Sequence, residues 1–302
     1  MDPKNVLLAA LVVIAVAYFL FWSLTVRRQR AASGDKTSLT PAPLTLLISF
    51  IANFFDTLGI GSYATTTSMA RFWNVIRDEK IPGTLNVGYV LPTVLQALIY
   101  ITIVAVDFTT MVAIIGAAVV GAYLGAGVVS NFSRRNVQIG MGFALLGAAT
   151  LMLASLTGVG PAPGTALGLT PGLMAIAVAC SIVLGALMML GIGYYAPCLI
   201  MISLLGMNPT AAFPIMMGAC AFLMPIGSLQ FIRKQKYDLR AAIAFAVGGA
   251  PAVLIAAFIV KSMPLDYVRW LVVVVVVYTA VSMLRTAAAE RGMKTAQAEA
   301  TA

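Results

Sequence analysis

Residues 6–26 run for 21 positions without a charged side chain. At about 1.5 Å of rise per residue, a helix of that length crosses the ~30 Å hydrocarbon core of a bilayer. The run is too long for a signal-peptide core, and Arg27, Arg28, Arg30 and Lys36 follow it as a stop-transfer flank. Further long apolar runs fill the chain, and their continuity marks helices rather than the alternating strands of a barrel. The expected fold class is therefore an all-α integral membrane protein. Composition agrees, with 61% hydrophobic and 10% charged residues against roughly 45–50% and ~25% in soluble domains. Soluble enzymes, disordered chains and disulfide scaffolds are excluded. The 302 residues include no histidine, so a histidine base, a histidine-ligated metal and a Ser-His-Asp triad are excluded too. No catalytic residues, metal or cofactor are expected, and the chain reads as a non-enzyme. Cys180, Cys198 and Cys220 lie inside apolar stretches and read as small core residues.

Basic residues sort the connections by side. The formal charge of +9 reflects basic loops and no clustered patch for nucleic acid. Lys4 alone precedes the first span, which places the N-terminus outside and residues 27–41 inside. Arg71, Arg77 and Lys80, then Arg134 and Arg135, then Arg233, Lys234, Lys236 and Arg240, and finally Arg285, Arg291 and Lys294 mark cytoplasmic segments. The connections near 107, 157–171 and 206–209 carry no Lys or Arg and face out. Full spans are expected near 84–105, 109–130, 137–156, 210–232, 239–260 and 266–285. Two other stretches, 42–76 and 172–206, must each begin and end on one side. Each is therefore a hairpin or re-entrant pair of helices, interrupted at Gly59 and Gly61 or at Gly191 and Gly193. The polar segment 290–302 is expected to be disordered.

The two halves also match in sequence. Leu58-Gly59-Ile60-Gly61-Ser62-Tyr63-Ala64 and Leu190-Gly191-Ile192-Gly193-Tyr194-Tyr195-Ala196 agree at six of seven positions, at an offset of 132. At an offset of 131, Asp107 falls on Asp238 and Val137 on Val268. Each half crosses the membrane an odd number of times, so the halves are inverted repeats, the architecture of secondary transporters. The expected organisation is an N-terminal anchor and cytoplasmic linker (1–41), a first repeat (42–157), an external linker (158–171), a second repeat (172–286) and a cytoplasmic tail (287–302).

A helix broken at membrane depth leaves backbone groups unpaired, which is tolerated only inside protein or beside a wet cavity. The helices resuming after Gly61 and Gly193 would aim their N–H groups and positive dipole ends at a common point, which favours an anion. Polar side chains follow each break: Ser62, Tyr63, Thr65, Thr66 and Thr67 in the first half, Tyr194 and Tyr195 in the second. No arginine is expected at that depth. Candidate substrate contacts are Gly59, Gly61, Ser62, Tyr63, Thr65, Thr66, Asn86, Gly191, Gly193, Tyr194 and Tyr195. The alternative is that the glycines serve helix packing and the hydroxyls bond back to their own helix. Asp56, an intramembrane carboxylate three residues before Gly59, is the candidate proton-coupling residue, with an N-capping role as the alternative. Asp107 and Asp238 read as helix N-caps.

The paired Leu-Gly-Ile-Gly motifs, with Met207-Asn208-Pro209-Thr210-Ala211-Ala212, resemble those of the TauE/SafE sulfite exporter family, over about 42–286. Ser62 and Tyr194 stand where that family often has a further glycine. The resemblance implies duplicated membrane halves and movement of a small anion such as sulfite or an organosulfonate. The reading is a secondary transporter in the plasma (inner) membrane, working by alternating access, with a passive anion channel or a non-transport membrane protein as alternatives. Its expected partners are the small anion, protons and the lipid bilayer, with a homo-oligomer left open and no nucleic acid. No Gly-x-x-x-x-Gly-Lys-Ser/Thr loop is present, so direct ATP use has no support.

Overall fold

The computed structural model describes residues 3–34, 38–128, 134–159, 164–188, 193–262 and 264–300. Among them the helices are α1 (Pro3–Ser33), α2 (Pro43–Thr57), α3 (Ser62–Phe72), α4 (Ile81–Gly88), α5 (Val90–Ile103) and α6 (Phe108–Val128). They continue as α7 (Arg134–Leu156), α8 (Pro171–Met188), α9 (Tyr195–Leu204), α10 (Ala212–Arg233), α11 (Leu239–Ser262) and α12 (Leu265–Ala300). Among the described residues, six segments are long and apolar enough to cross a membrane. The protein is a multi-pass, all-helical membrane protein.

Stretch 42–76 is broken where the glycines stand. Gly59 N–H donates to Asp56 O at 2.8 Å and Ile60 N–H to Phe55 O at 3.0 Å. This pairing ends α2 in a Schellman turn, which requires a left-handed residue. Gly59 has φ +99° and Gly61 φ +84°, backbone states that cost a residue with a Cβ. In the second half, α8 stops at Met188 and α9 starts at Tyr195. Leu190, Gly191 and Ile192 lie outside the described residues. Both short helices end alike: α3 closes through Asn74 (φ +49°) and α9 through Gly206 (φ +82°).

The span near 84–105 stands as one crossing segment, Asp78–Ile103, in which α4 and α5 meet at Tyr89 (φ −88°, ψ 2°). Two expectations change. The segment after 290 continues α12 through Ala300 instead of being disordered, because its Ala, Glu, Lys and Gln residues are strong helix formers. Cys180 is exposed on the outside of α8, while Cys198 and Cys220 are buried; in a membrane protein the outer surface is apolar as well as the core, so hydropathy does not separate them.

α10 lies at the centre and packs against α4, α5, α6 and α9. Around it, α2 packs on α11 and α8 on α6, α7 packs on α12, and α9 touches α7 as α3 touches α12. Small residues bring these helices close. A Cβ on Gly121 would overlap the carbonyl of Ile182, and one on Gly185 that of Ala118. Asp107 Oδ1 accepts from Thr110 N–H at 2.7 Å and Asp238 Oδ1 from Ala241 N–H at 2.9 Å, so both cap their helices.

Segments assigned to one side touch one another. Lys4 Nζ donates to Thr102 O (3.0 Å), Asp107 N to Leu167 O (2.8 Å) and Asn208 N to Ala166 O (2.8 Å). On the opposite face Gln29 Nε2 donates to Ile232 O (3.2 Å), Asp238 N to Thr84 Oγ1 (2.9 Å) and Arg135 Nε to Ala287 O (3.1 Å). α1 is fastened to this frame by Tyr18 OH to Val87 O (3.0 Å) and Trp22 Nε1 to Tyr237 OH (3.1 Å).

Candidate functional site

Both helix breaks open into one cavity of about 90 Å³. From the first break come Ile60, Gly61, Tyr63 and Ala64; from the second, Gly193, Tyr195 and Ala196. The wall continues along α3 as Thr67, Ser68 and Arg71, along α12 as Thr279, Ser282, Met283 and Thr286, and across α7 as Gln138. The α12 positions recur at intervals of three and four, so they share one helix face. Tyr63, Gln138, Tyr195 and Thr279 are buried, whereas Ser68 and Arg71 are exposed. The cavity therefore opens toward the C-terminal end of α3. Arg71 stands at that mouth with its side chain 38% exposed, and its Nε donates to Asp78 Oδ1 at 3.2 Å.

Behind Tyr195 the protein is closed by a chain of hydrogen bonds joining the two halves. Tyr195 OH donates to Gln96 Oε1 at 2.7 Å. Gln96 Nε2 donates to Asp56 Oδ2 and to Thr57 Oγ1, both at 2.9 Å. The other carboxylate oxygen, Asp56 Oδ1, accepts the backbone N–H of Ser62 and so caps the start of α3. One turn further along α5, Tyr100 OH donates to Thr57 O at 3.1 Å, and its ring stacks on Phe213 at 5.3 Å. Asp56 is 3% exposed, and these partners are all neutral.

Of the residues read from the sequence as site candidates, Gly61, Tyr63, Gly193 and Tyr195 line the cavity. The others do not. Gly59 faces Leu199, Phe213 and Met216. Ser62 spends its N–H on Asp56. Thr65 bonds back to Gly61 O at 3.5 Å, and Thr66 pairs with Tyr89 OH at 2.7 Å. Asn86 donates to Pro82 O at 2.9 Å. Tyr194 OH pairs with Ser181 Oγ on α8 at 2.7 Å. Gly191 lies outside the described residues. Arg71 also lines the cavity, but at its exposed mouth, in the last turn of the 11-residue α3 and not at the depth of the breaks. Sequence reading also passed over Gln138, Ser68 and the α12 stripe. The stripe was visible as Thr279, Ser282 and Thr286, three hydroxyls spaced along one face of an apolar helix. Gln138 and Arg71 gave no pattern of their own.

Two polar atoms in the wall, one of them an acceptor only, have no protein partner among the described residues. The Tyr63 hydroxyl and Gln138 Oε1 are buried without a hydrogen bond among the described residues. Orphaned buried polar atoms are rare and call for an occupant or water. The donors available here are a phenol, an amide, hydroxyls and a guanidinium, and among the described residues no carboxylate lines the wall. That chemistry suits an oxyanion. Among the described residues, no group of three or more Asp, Glu, Cys or His side chains could hold a metal.

Neither the curated proteins nor the solved structures contain a match to the chain. Residues 173–301 match the model of the family described as sulfite exporter TauE/SafE, so the second half of the chain, with its glycine motif and its Met207-Asn208-Pro209 turn, is where the likeness to that family lies.

Proposed function

We propose that the protein is a secondary transporter of a small anion, a sulfite-type or sulfonate-type oxyanion, that binds it where the two helix breaks meet. The observation that carries this reading is one cavity shared by both breaks, walled by hydrogen-bond donors and entered past Arg71. The family match points to the same cargo class.

Alternating access needs two halves that can rock against each other. The proposed halves are 42–157 and 172–286, joined by 158–171 and preceded by an anchor at 1–41, with a tail from 287. Their inversion is supported by contacts that survive exchange of the halves. Ser49 Oγ on α2 donates to Phe245 O on α11 at 2.7 Å. Its equivalent, Ser181 Oγ on α8, donates to Ile114 O on α6 at 2.8 Å. The pairings α2 with α11 and α8 with α6 are themselves such an exchange. With the basic face in the cytoplasm of a plasma membrane, the N-terminus is outside, the C-terminus inside, and the cavity is open inward. The Tyr195–Gln96–Asp56 chain is then the closed outer gate.

Asp56 is the proposed proton carrier, because a carboxylate within the membrane and without a cation partner is costly to keep charged. Protonating it would loosen the bonds from Ser62 and Gln96 and, through Gln96, the hold on Tyr195. The test is flux of sulfite and methanesulfonate into proteoliposomes with an imposed proton gradient. Saturable, gradient-dependent uptake is expected, and Asp56→Asn should remove the pH dependence. Uptake that rises linearly with concentration and ignores the gradient would assign a passive channel instead.

A further inference from the structure

We propose that the groove between α1 and the faces of α5 and α11 holds an acyl chain of one anionic phospholipid, whose headgroup phosphate pairs with Arg27 at the end of the groove. The proposal does not depend on the transport reading and concerns a different part of the molecule.

Shape is the first observation. The groove measures about 790 Å³. α1 forms one wall from Val12 to Arg27, and α5 (Leu91, Leu98) with α11 (Leu239, Ile243) forms the other. α1 runs antiparallel to the crossing segment that contains α5, with Lys4 bonded at Thr102 and Tyr18 at Val87. From Val12 to Arg27 the wall rises about 22 Å at ~1.5 Å per residue, more than half of a ~30 Å hydrocarbon core. The groove therefore follows one leaflet from headgroup level past the midplane. It is open to that leaflet, since Val16 and Leu20 in its wall are more than half exposed. α1 also packs directly on α5, which leaves no space between them for a further helix ~10 Å across. A flexible hydrocarbon chain suits the groove.

Polarity is the second. Short of Arg27, the polar groups in the lining are already bonded: Ser23 Oγ to Leu20 O at 3.0 Å and Trp22 Nε1 to Tyr237 OH at 3.1 Å. Arg27 is exposed and has no hydrogen bond or ion pair among the described residues. Leu39 closes the same end, and the next residue, Thr40, accepts from Arg240 Nε at 2.6 Å, so a second guanidinium stands there. Among the described residues no Asp or Glu lines the groove. An apolar trough ending in guanidinium groups complements an acyl tail ending in a phosphate, which arginine binds through paired N–H donors. The apolar groove between α8 and α9 is the contrast. It has no charged side chain in its lining among the described residues, so it offers nothing to distinguish one headgroup from another.

The test is native mass spectrometry of the full chain in a neutral detergent, with dioleoyl phosphatidylglycerol and dioleoyl phosphatidylcholine as probes. The two share their tails and differ in headgroup charge. One phosphatidylglycerol should be retained about fivefold more tightly than phosphatidylcholine, the scale of one basic residue against an anionic lipid. Arg27→Gln should remove that preference. Arg28→Gln deletes a neighbouring exposed charge outside the lining and should leave the preference intact. Val16→Trp fills the groove with a ring and should expel the lipid with Arg27 still in place, which keeps the proposal testable if Arg27→Gln does not fold. Equal retention of the two lipids overturns the proposal. So does a preference that survives in Arg27→Gln, a lipid that survives in Val16→Trp, or an equal loss in Arg28→Gln. A dimer without lipid that Val16→Trp dissociates would assign the groove to a second copy of the chain and overturn it as well.

Discussion

Tyr63 and Tyr195 occupy the same place in the two seven-residue motifs, yet they do different things. Both rings line the cavity. Tyr195 has its hydroxyl tied to Gln96 at 2.7 Å, and through Gln96 to Asp56. Tyr63 has a buried hydroxyl with no partner. The residues before them diverge in the same way. Ser62 is held by a carboxylate, while Tyr194 pairs with Ser181 on α8. Asp56 itself has Met188 as its counterpart, and Met188 Sδ sits 3.5 Å from Cys220 Sγ. The two copies of the motif are alike in sequence, but the polar chemistry around them differs: the first half carries the carboxylate and the open donor, and the second half carries the Tyr195 hydroxyl bond and an apolar backing.

The sharpest way to break this comparison is to exchange Asp56 and Met188 separately for leucine. Asp56→Leu strands the Ser62 N–H and one N–H of Gln96, whose amide keeps its bond to Thr57 Oγ1, at ~1–3 kcal/mol for each unpaired donor. A large drop in the unfolding temperature is expected. Met188→Leu conserves volume and should cost less than ~1.5 kcal/mol. Equal costs would mean that the two breaks are stabilised in the same way. The packing of the halves gives the next largest contrast. A Cβ on Gly121 would overlap the backbone carbonyl of Ile182, whereas one on Gly248 would lie 2.6 Å from Leu46 O. Gly121→Ala should destabilise by about 1–3 kcal/mol and more than Gly248→Ala, as read by thermal unfolding in detergent.

The tyrosine pair separates stability from binding. Tyr195→Phe leaves Gln96 Oε1 without its donor and should cost about 1 kcal/mol. Tyr63→Phe removes a hydroxyl that bonds nothing, so stability should hold while anion affinity falls about tenfold. A stability loss in Tyr63→Phe matching that in Tyr195→Phe would erase the distinction. The smallest effect concerns the two caps. Asp107 Oδ1 accepts from both the N–H and the hydroxyl of Thr110, each at 2.7 Å, whereas at Asp238 the third residue is Ala241 and offers only its N–H. These donors hold the Asp107 carboxyl below its ordinary range. A lowered folded-state value means that the stabilisation is present above the ordinary carboxylate range and is lost as the pH falls through the lowered one. Asp107→Asn should flatten that acid limb of the stability profile, and Asp107→Ala should cost more than Asp238→Ala, by a few tenths of a kcal/mol within the ~0.5–2 kcal/mol of a helix cap.

Much of the frame was legible before any coordinates. The break after Leu58 was written in Gly59 and Gly61, because a Schellman turn and a left-handed residue need glycine there. The grouping of loops followed from arginine and lysine, and the contacts of Lys4 with Thr102 and of Arg135 with Ala287 agree with it. The candidate site was legible only where the motif itself lines the cavity. Ser62, Thr65, Thr66 and Tyr194 are as polar as Tyr63, and nothing in their spacing told which would turn away. Arg71 had been absorbed as a marker of sidedness, although it also stands at the cavity mouth.

The sequence by itself determined what is local or set by the solvent: which segments can live in lipid, where the backbone must break, and which ends share a side. Only the tertiary structure decided which polar side chains look into the cavity. In a soluble helix the apolar stripe reveals the buried face. In a membrane both faces of α7 and α12 are apolar, so rotation about the helix axis leaves little trace in hydropathy. That rotation is fixed by close packing, such as Gly121 on Ile182 and Gly185 on Ala118, and it is what brings Gln138, Thr279 and Arg71 to one opening.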